Sequence, residues 1–74
     1  MKESDDDIKR YFRYKLERLI KKNNISQSEL AEEIGVSRQV IAQYLTGGSL
    51  PSFVTIKKLS LALNCSVEDF YYKN

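Results

Sequence analysis

The sequence has no histidine and no tryptophan, and only one cysteine and one proline among its 74 residues. A single cysteine cannot form an internal disulfide, and without histidine the chain lacks the usual ligands of a zinc site. The same absences leave no nucleophile with a histidine base beside it. We therefore expect no enzymatic activity, no metal and no cofactor, and we expect Cys65 to be a small buried apolar residue.

Long apolar runs are also missing, so no segment has the length of a membrane span. The N-terminus is acidic where a signal peptide would be basic. We therefore expect a cytoplasmic protein without a membrane partner. A chain of 74 residues can form one small domain, which buries about 60% of the surface exposed by the unfolded chain.

Charge is distributed unevenly along the chain. Residues 1–7 carry one basic and four acidic side chains, net −3, whereas residues 8–74 carry 11 basic and six acidic side chains, net +5. This division predicts a flexible acidic tail over residues 1–7 and a basic folded domain over residues 8–74. The tail could also compete with phosphates for a basic surface, or extend the first helix as N-terminal charge.

The segment from Ser26 to Leu45 predicts two short helices joined by a tight turn. Ser26 and Glu29 have the spacing of a capping box, which makes Gln27 the first helical residue. The turn centres on Gly35, because a helix C-terminus often needs a residue with positive φ. Ser37 is positioned to cap the next helix. The first of these helices buries one stripe, namely Leu30, Ala31 and Ile34.

The second helix of the pair, Arg38 to about Leu45, has an unusual polar face. Its apolar side is Val40, Ile41, Tyr44 and Leu45. The other side contains neither Glu nor Lys, the common residues of a solvated surface. Arginine pairs with guanine and glutamine with adenine in the major groove, and alanine can contact a thymine methyl group. This face could be an ordinary polar surface, but it also predicts a base-reading set of Arg38, Gln39, Ala42 and Gln43.

The sequence resembles the Cro/cI-type (XRE-type) phage-repressor helix-turn-helix family. The resemblance rests on Gln27, Ala31, Gly35, Val36 and Ile41 with their spacing, and it continues through PSFVTIKKLSLALNCSVEDF to cover residues 12–71. It implies an all-α, lambda-repressor-like bundle of five short helices, in which helices 2 and 3 form the helix-turn-helix. It also implies a double-stranded DNA partner.

Two departures from the family pattern matter. Relatives commonly pair an Arg late in the first helix with a Glu late in the recognition helix, and the matching positions here are Ile20 and Leu45. An apolar pair of similar size can replace a partly buried ion pair without loss of stability. Gly48 occupies the position where the family usually has a basic residue, which removes one expected phosphate contact.

The remaining helices follow from apolar spacing and caps. Residues 8–22 predict the first helix, and its outer side is basic; the ends of this basic side could reach flanking phosphates. Asn23 and Asn24 end it. Ser52 caps the fourth helix, and Ser66 opens a short fifth helix that closes the core with Val67 and Phe70. The predicted core stripe of the fourth helix is Phe53, Ile56, Leu59, Ala62 and Leu63.

Together these features predict a sequence-specific DNA-binding transcriptional regulator, a repressor of phage, plasmid or mobile-element type. The predicted DNA-backbone contacts are Gln27, Ser37, Thr46, Ser49, Ser52, Lys57 and Lys58. The C-terminal aromatic residues predict a homodimer on a palindromic operator, with a seam at Phe70, Tyr71 and Tyr72. The alternative is a protein-interaction module, such as an antitoxin-like or anti-regulator chain that binds a regulatory protein.

Overall fold

The structure, a computed structural model, describes residues 4–71. Within that range the fold is all-helical and contains no strand. Four α-helices are followed by one 3₁₀ turn: α1 Asp5–Lys22, α2 Gln27–Ile34, α3 Arg38–Thr46, α4 Phe53–Ala62, and the turn Val67–Phe70.

The prediction of five helices is therefore wrong in its last element. Val67–Phe70 is only four residues long, and its N–H groups bond three residues back, from Asp69 to Ser66 at 3.1 Å and from Tyr71 to Glu68 at 2.9 Å. The Ser66 N–H donates to the Asp69 carboxylate at 2.9 Å. This segment is too short to complete an α-helix and takes the tighter form.

Helix α1 begins three residues earlier than the start predicted at residue 8. Ser4 caps it, because the Asp7 N–H donates to the Ser4 hydroxyl at 3.1 Å and the Ser4 N–H donates to the Asp7 carboxylate at 3.4 Å. Three aspartates occupy the first turn, where negative charge favours the helix N-terminus. Residues 5–7 thus extend the first helix, as the alternative interpretation held. Residues 1–3 of the predicted tail lie outside the described residues.

The predicted pair of helices is confirmed. Ser26 caps α2 in a capping box with Glu29, with hydrogen bonds of 2.9 and 3.0 Å. Gly35 ends α2 in the left-handed conformation at φ 79°, which a residue without a Cβ adopts at little cost. The Ser37 hydroxyl then accepts the Val40 N–H at 3.3 Å and caps α3.

The core is one cluster that draws on every helix. Phe12 of α1 lies at its centre, with its ring 6.3 Å from that of Tyr44 in an edge-on arrangement and 5.4 Å from that of Phe70. One residue of α1 thus joins α3 to the C-terminal turn. The buried apolar residues are Phe12, Leu16, Leu19, Leu30, Ala31, Ile34, Ile41, Tyr44, Ile56, Leu59, Leu63 and Phe70.

Asparagines follow two of the helices, and for α1 this ending was predicted. Asn24 and Asn64 follow α1 and α4 with φ of 52° and 55°, in the left-handed region that asparagine tolerates. Ile20 and Leu45 are both half-buried and pack against the core. Their direct contact with each other stays a prediction.

One residue of the predicted α4 core stripe is misplaced. Phe53 is 71% exposed, whereas Ile56, Leu59 and Leu63 are buried as predicted and Ala62 is half-buried. Phe53 is the first residue of α4, and the buried part of that helix begins one turn later. The apolar spacing was correct, but the helix extends past the edge of the core.

Cys65 is half-buried and packs against the core. Burial raises the pKa of its thiol, and the nearby Asp69 carboxylate raises it further, so the thiol stays protonated at neutral pH. No group of His, Cys, Asp and Glu within residues 4–71 has an arrangement that could hold a metal ion. In the same range no helix is both long and apolar enough to cross a bilayer.

Candidate nucleic-acid interface

Helix α3 presents the predicted base-reading residues to solvent. Arg38, Gln39 and Gln43 are exposed, and Ala42 is half-buried between them. Ile41 and Tyr44 on the opposite side are buried in the core. The helix is thus held by one face while the other offers arginine and glutamine side chains around a small residue.

The turn between α2 and α3 determines the position of α3 relative to α2. Both the Gly35 and the Val36 N–H donate to the Ala31 carbonyl at 2.9 Å, which closes the end of α2. Val36 then packs against the core before Ser37 starts α3. Backbone hydrogen bonds and the packing of Val36 thus close the turn and hold α3 next to α2.

Several side chains that were predicted to contact the DNA backbone already form hydrogen bonds within the protein. The Ser37 hydroxyl accepts the cap hydrogen bond of α3. The Ser52 hydroxyl accepts the Thr55 N–H at 3.3 Å and donates to the Thr55 hydroxyl at 3.2 Å. Thr46 donates to the Gln43 carbonyl at 3.3 Å. An accepting hydroxyl can still donate to a phosphate, so Ser37 keeps its predicted role more easily than Ser52.

The other predicted backbone contacts are spread over the chain. Gln27 is half-buried at the first residue of α2, while Ser49, Lys57 and Lys58 are exposed. Lys58 lines a shallow groove between α2 and α4 with Glu33, Leu61 and Ala62. Glu33, near the C-terminal end of α2, lines the same groove.

The predicted dimer seam requires a correction. Phe70 is fully buried inside the protomer, against Phe12, so it cannot also form a contact between two copies. Tyr71 is 37% exposed, and Tyr72 lies outside the described residues. The other exposed large apolar side chains are Tyr14, Leu50, Phe53, Val54 and Leu61, of which Leu50, Phe53 and Val54 lie together at the start of α4 and just before it.

One side chain that lies near the C-terminal end of α3 comes from α1 and was not predicted as part of the site. Arg13 of α1 donates from Nη1 to the Thr46 carbonyl at 3.3 Å. Its guanidinium lies against Gly47. The adjacent glycines after α3 are the signal that could have indicated it, since they leave room for a side chain from elsewhere in the chain.

A helix-turn-helix family model of the XRE (Cro/cI) type matches residues 16–70. The chain belongs to this family, and it is a DNA-binding helix-turn-helix regulator with a lambda-repressor-like fold. No individual curated protein and no solved structure matches it. The family match begins inside α1, so the first three turns of that helix, including Phe12 and Arg13, precede the matched residues.

Proposed function

We propose that the protein is a sequence-specific regulator that inserts α3 into the major groove of double-stranded DNA and represses transcription. The observation that carries this proposal is the exposed face of α3, where Arg38, Gln39 and Gln43 surround Ala42. These residue types pair with base edges, and the small alanine lets the helix approach them. A repressor of this kind would act in the cytoplasm of a bacterium and be encoded by a phage, plasmid or mobile element.

Contacts to the DNA backbone would hold the helix in register. Gln27, Ser37, Thr46, Ser49, Ser52 and Lys57 or Lys58 are the proposed contacts, together with the N-termini of α2 and α4. These contacts carry no sequence information, so they would contribute affinity and salt dependence equally on all duplexes.

Selection of bound duplexes from a random DNA library tests the proposal. We expect a consensus with two-fold symmetry and half-sites one DNA turn apart, about 34 Å. Failure to enrich any sequence, while binding to duplex DNA persists, would contradict sequence-specific reading. Absence of duplex binding at low salt would contradict the proposal as a whole.

The proposed homodimer would use the exposed apolar residues Leu50, Phe53 and Val54, with Tyr71 as a further candidate. These residues replace Phe70 in the seam, because three of them lie within five positions and two are more than 60% exposed. Sedimentation of the wild type should show a dimer at high protein concentration or on the selected duplex. Phe53→Ser should weaken that dimer, whereas Leu61→Ser, which changes a 67% exposed residue further along α4, should not.

A monomer both free and on the selected duplex would contradict the dimer.

The protein-interaction alternative has one observation in its favour, the exposed Leu61 in the groove between α2 and α4. An antitoxin-like or anti-regulator role predicts a stoichiometric complex with another protein, and the affinity of that complex should depend little on salt. DNA regulation predicts a steep loss of duplex affinity with salt, and the two roles can coexist.

A further inference from the structure

Arg13 belongs to α1, but its guanidinium lies at the C-terminal end of the recognition helix. Its Nη1 donates to the carbonyl of Thr46 at 3.3 Å, and Thr46 is the last residue of α3. Arg13 is half-buried in this position. Carbonyl groups in the last turn of a helix carry partial negative charge that a cation stabilises. The guanidinium is therefore held at a defined place beside α3.

Gly47 provides the space for this arrangement. Its φ is 84°, and a Cβ at this position would collide with Nη1 of Arg13 and lie 2.9 Å from Cζ and 3.1 Å from Cδ. The left-handed backbone favours glycine here, and a Cβ would displace the guanidinium that lies across this residue.

The sequence next to the C-terminal end of α3 supplies no cation that could replace Arg13. Between Ser37 and Ser52 the only charged residue is Arg38, at the first position of α3. The C-terminal half of α3 and the loop after it thus contribute no cation of their own. A guanidinium has five N–H donors, and the bond to Thr46 uses one of them. Donors remain for a second partner at this end of the helix.

We propose that Arg13 is a phosphate ligand, supplied by α1 to the C-terminal end of the recognition helix. The inference rests on the proposed function, in which Thr46 and Ser49 contact the DNA backbone at this same end. A phosphate that approaches this end of α3 lies within reach of a guanidinium bonded to the Thr46 carbonyl. Arginine binds phosphate through paired, charge-assisted hydrogen bonds. Because phosphates carry no sequence information, Arg13 contributes affinity on every duplex.

The test is the salt dependence of binding to a mixed-sequence duplex that spans several helical turns. Arg13→Gln keeps a hydrogen-bond donor for Thr46 but removes the charge, and it should reduce the slope of log affinity against log salt by about 0.9. Arg13→Lys keeps the charge and should keep the slope. The matched control is Arg18→Gln, which removes one charge from the same helix at a guanidinium that contacts the Tyr14 hydroxyl at 3.1 Å instead.

The outcomes separate this inference from the proposed function. A wild-type slope for Arg13→Gln overturns the phosphate role and leaves DNA binding intact. Equal reductions for Arg13→Gln and Arg18→Gln also overturn it, because net charge would then explain both. Wild-type binding that is absent or independent of salt overturns the proposed function itself.

A second measurement applies if Arg13→Gln does not fold. The side-chain Nε–H signals of Arg13 and Arg18 can be followed by NMR in the wild-type protein as the mixed-sequence duplex is added. A shift at Arg13 that exceeds the shift at Arg18 supports the phosphate contact. An Arg13 signal that stays unchanged at saturation overturns it.

Discussion

The side-chain amide of Asn23, just after α1, donates to the Leu63 carbonyl, just after α4, at 3.0 Å. The same Nδ2 also donates to the Leu19 carbonyl at 2.8 Å. One partly buried amide thus satisfies two carbonyls and joins segments that are 40 residues apart.

We predict that Asn23→Ala destabilises the fold by about 1–3 kcal/mol, because it leaves the Leu63 carbonyl without its side-chain donor. The Leu19 carbonyl still accepts the backbone N–H of residue 23 at 3.0 Å. In a domain of this size the melting temperature should fall by about 4–8 °C for each kcal/mol. The control is Asn24→Gly at the next residue, whose φ of 52° suits glycine; it should change stability by less than about 0.5 kcal/mol. Equal effects of the two substitutions would contradict the role of the Asn23 amide.

A second prediction concerns the apolar residues in place of the family's ion pair. If Ile20 and Leu45 touch, Leu45→Glu alone places an unpaired carboxylate in a mainly apolar site, at a cost of about 3–5 kcal/mol. Adding Ile20→Arg should recover part of this loss through a bidentate pair. A double-mutant cycle on thermal unfolding measures the coupling. Simple additivity would mean that the two residues are not neighbours.

A third prediction concerns pH. The Ser26 backbone N–H, and to a smaller extent its hydroxyl, lowers the pKa of Glu29 from its ordinary value of 4.5. A carboxylate with a lowered pKa contributes stability above its unfolded-state pKa, and this contribution is lost as the pH falls through the folded-state pKa. Wild type should therefore be more stable than Glu29→Gln at pH 7, and the difference should shrink below about pH 4.5.

Urea unfolding at several pH values measures this difference. The control is Glu32→Gln, which removes the same charge from an exposed position in α2. If Glu32→Gln shows the same pH-dependent difference, net charge rather than the capping box is responsible.

A fourth prediction separates base reading from backbone contact. Gln39→Ala should reduce discrimination at one base position in each half-site by about 1–3 kcal/mol, because a bidentate contact to that base is lost. Lys57→Ala should weaken binding to every duplex alike and lower the salt slope. Competition between the selected duplex and its single-base variants measures the discrimination. Direct titration of the selected and scrambled duplexes at several salt concentrations measures the uniform loss and the salt slope. Equal losses for Gln39→Ala on the selected and scrambled duplexes would remove Gln39 from the reading set.

Local chemistry in the sequence was sufficient to predict most of the helical framework. The Ser26 and Glu29 capping box, the left-handed Gly35 and the Ser37 cap depend on residues within four positions of each other, so short-range bonding determines them. Apolar spacing likewise identified the buried sides of α2 and α3. The family match over residues 16–70 supports the same arrangement.

The ends of elements were decided by tertiary structure. Phe53 and Phe70 are both aromatic residues in apolar patterns, yet Phe53 is 71% exposed and Phe70 is fully buried. Phe70 is enclosed because Phe12, 58 positions earlier in the sequence, lies against it, whereas α4 begins beyond the edge of the core. The contact of Arg13 with Thr46 and Gly47 depends in the same way on where α1 crosses α3. Periodicity within one helix determines which side faces inward, but only the packing of distant helices determines how far the core extends and which side chain occupies the space above a glycine.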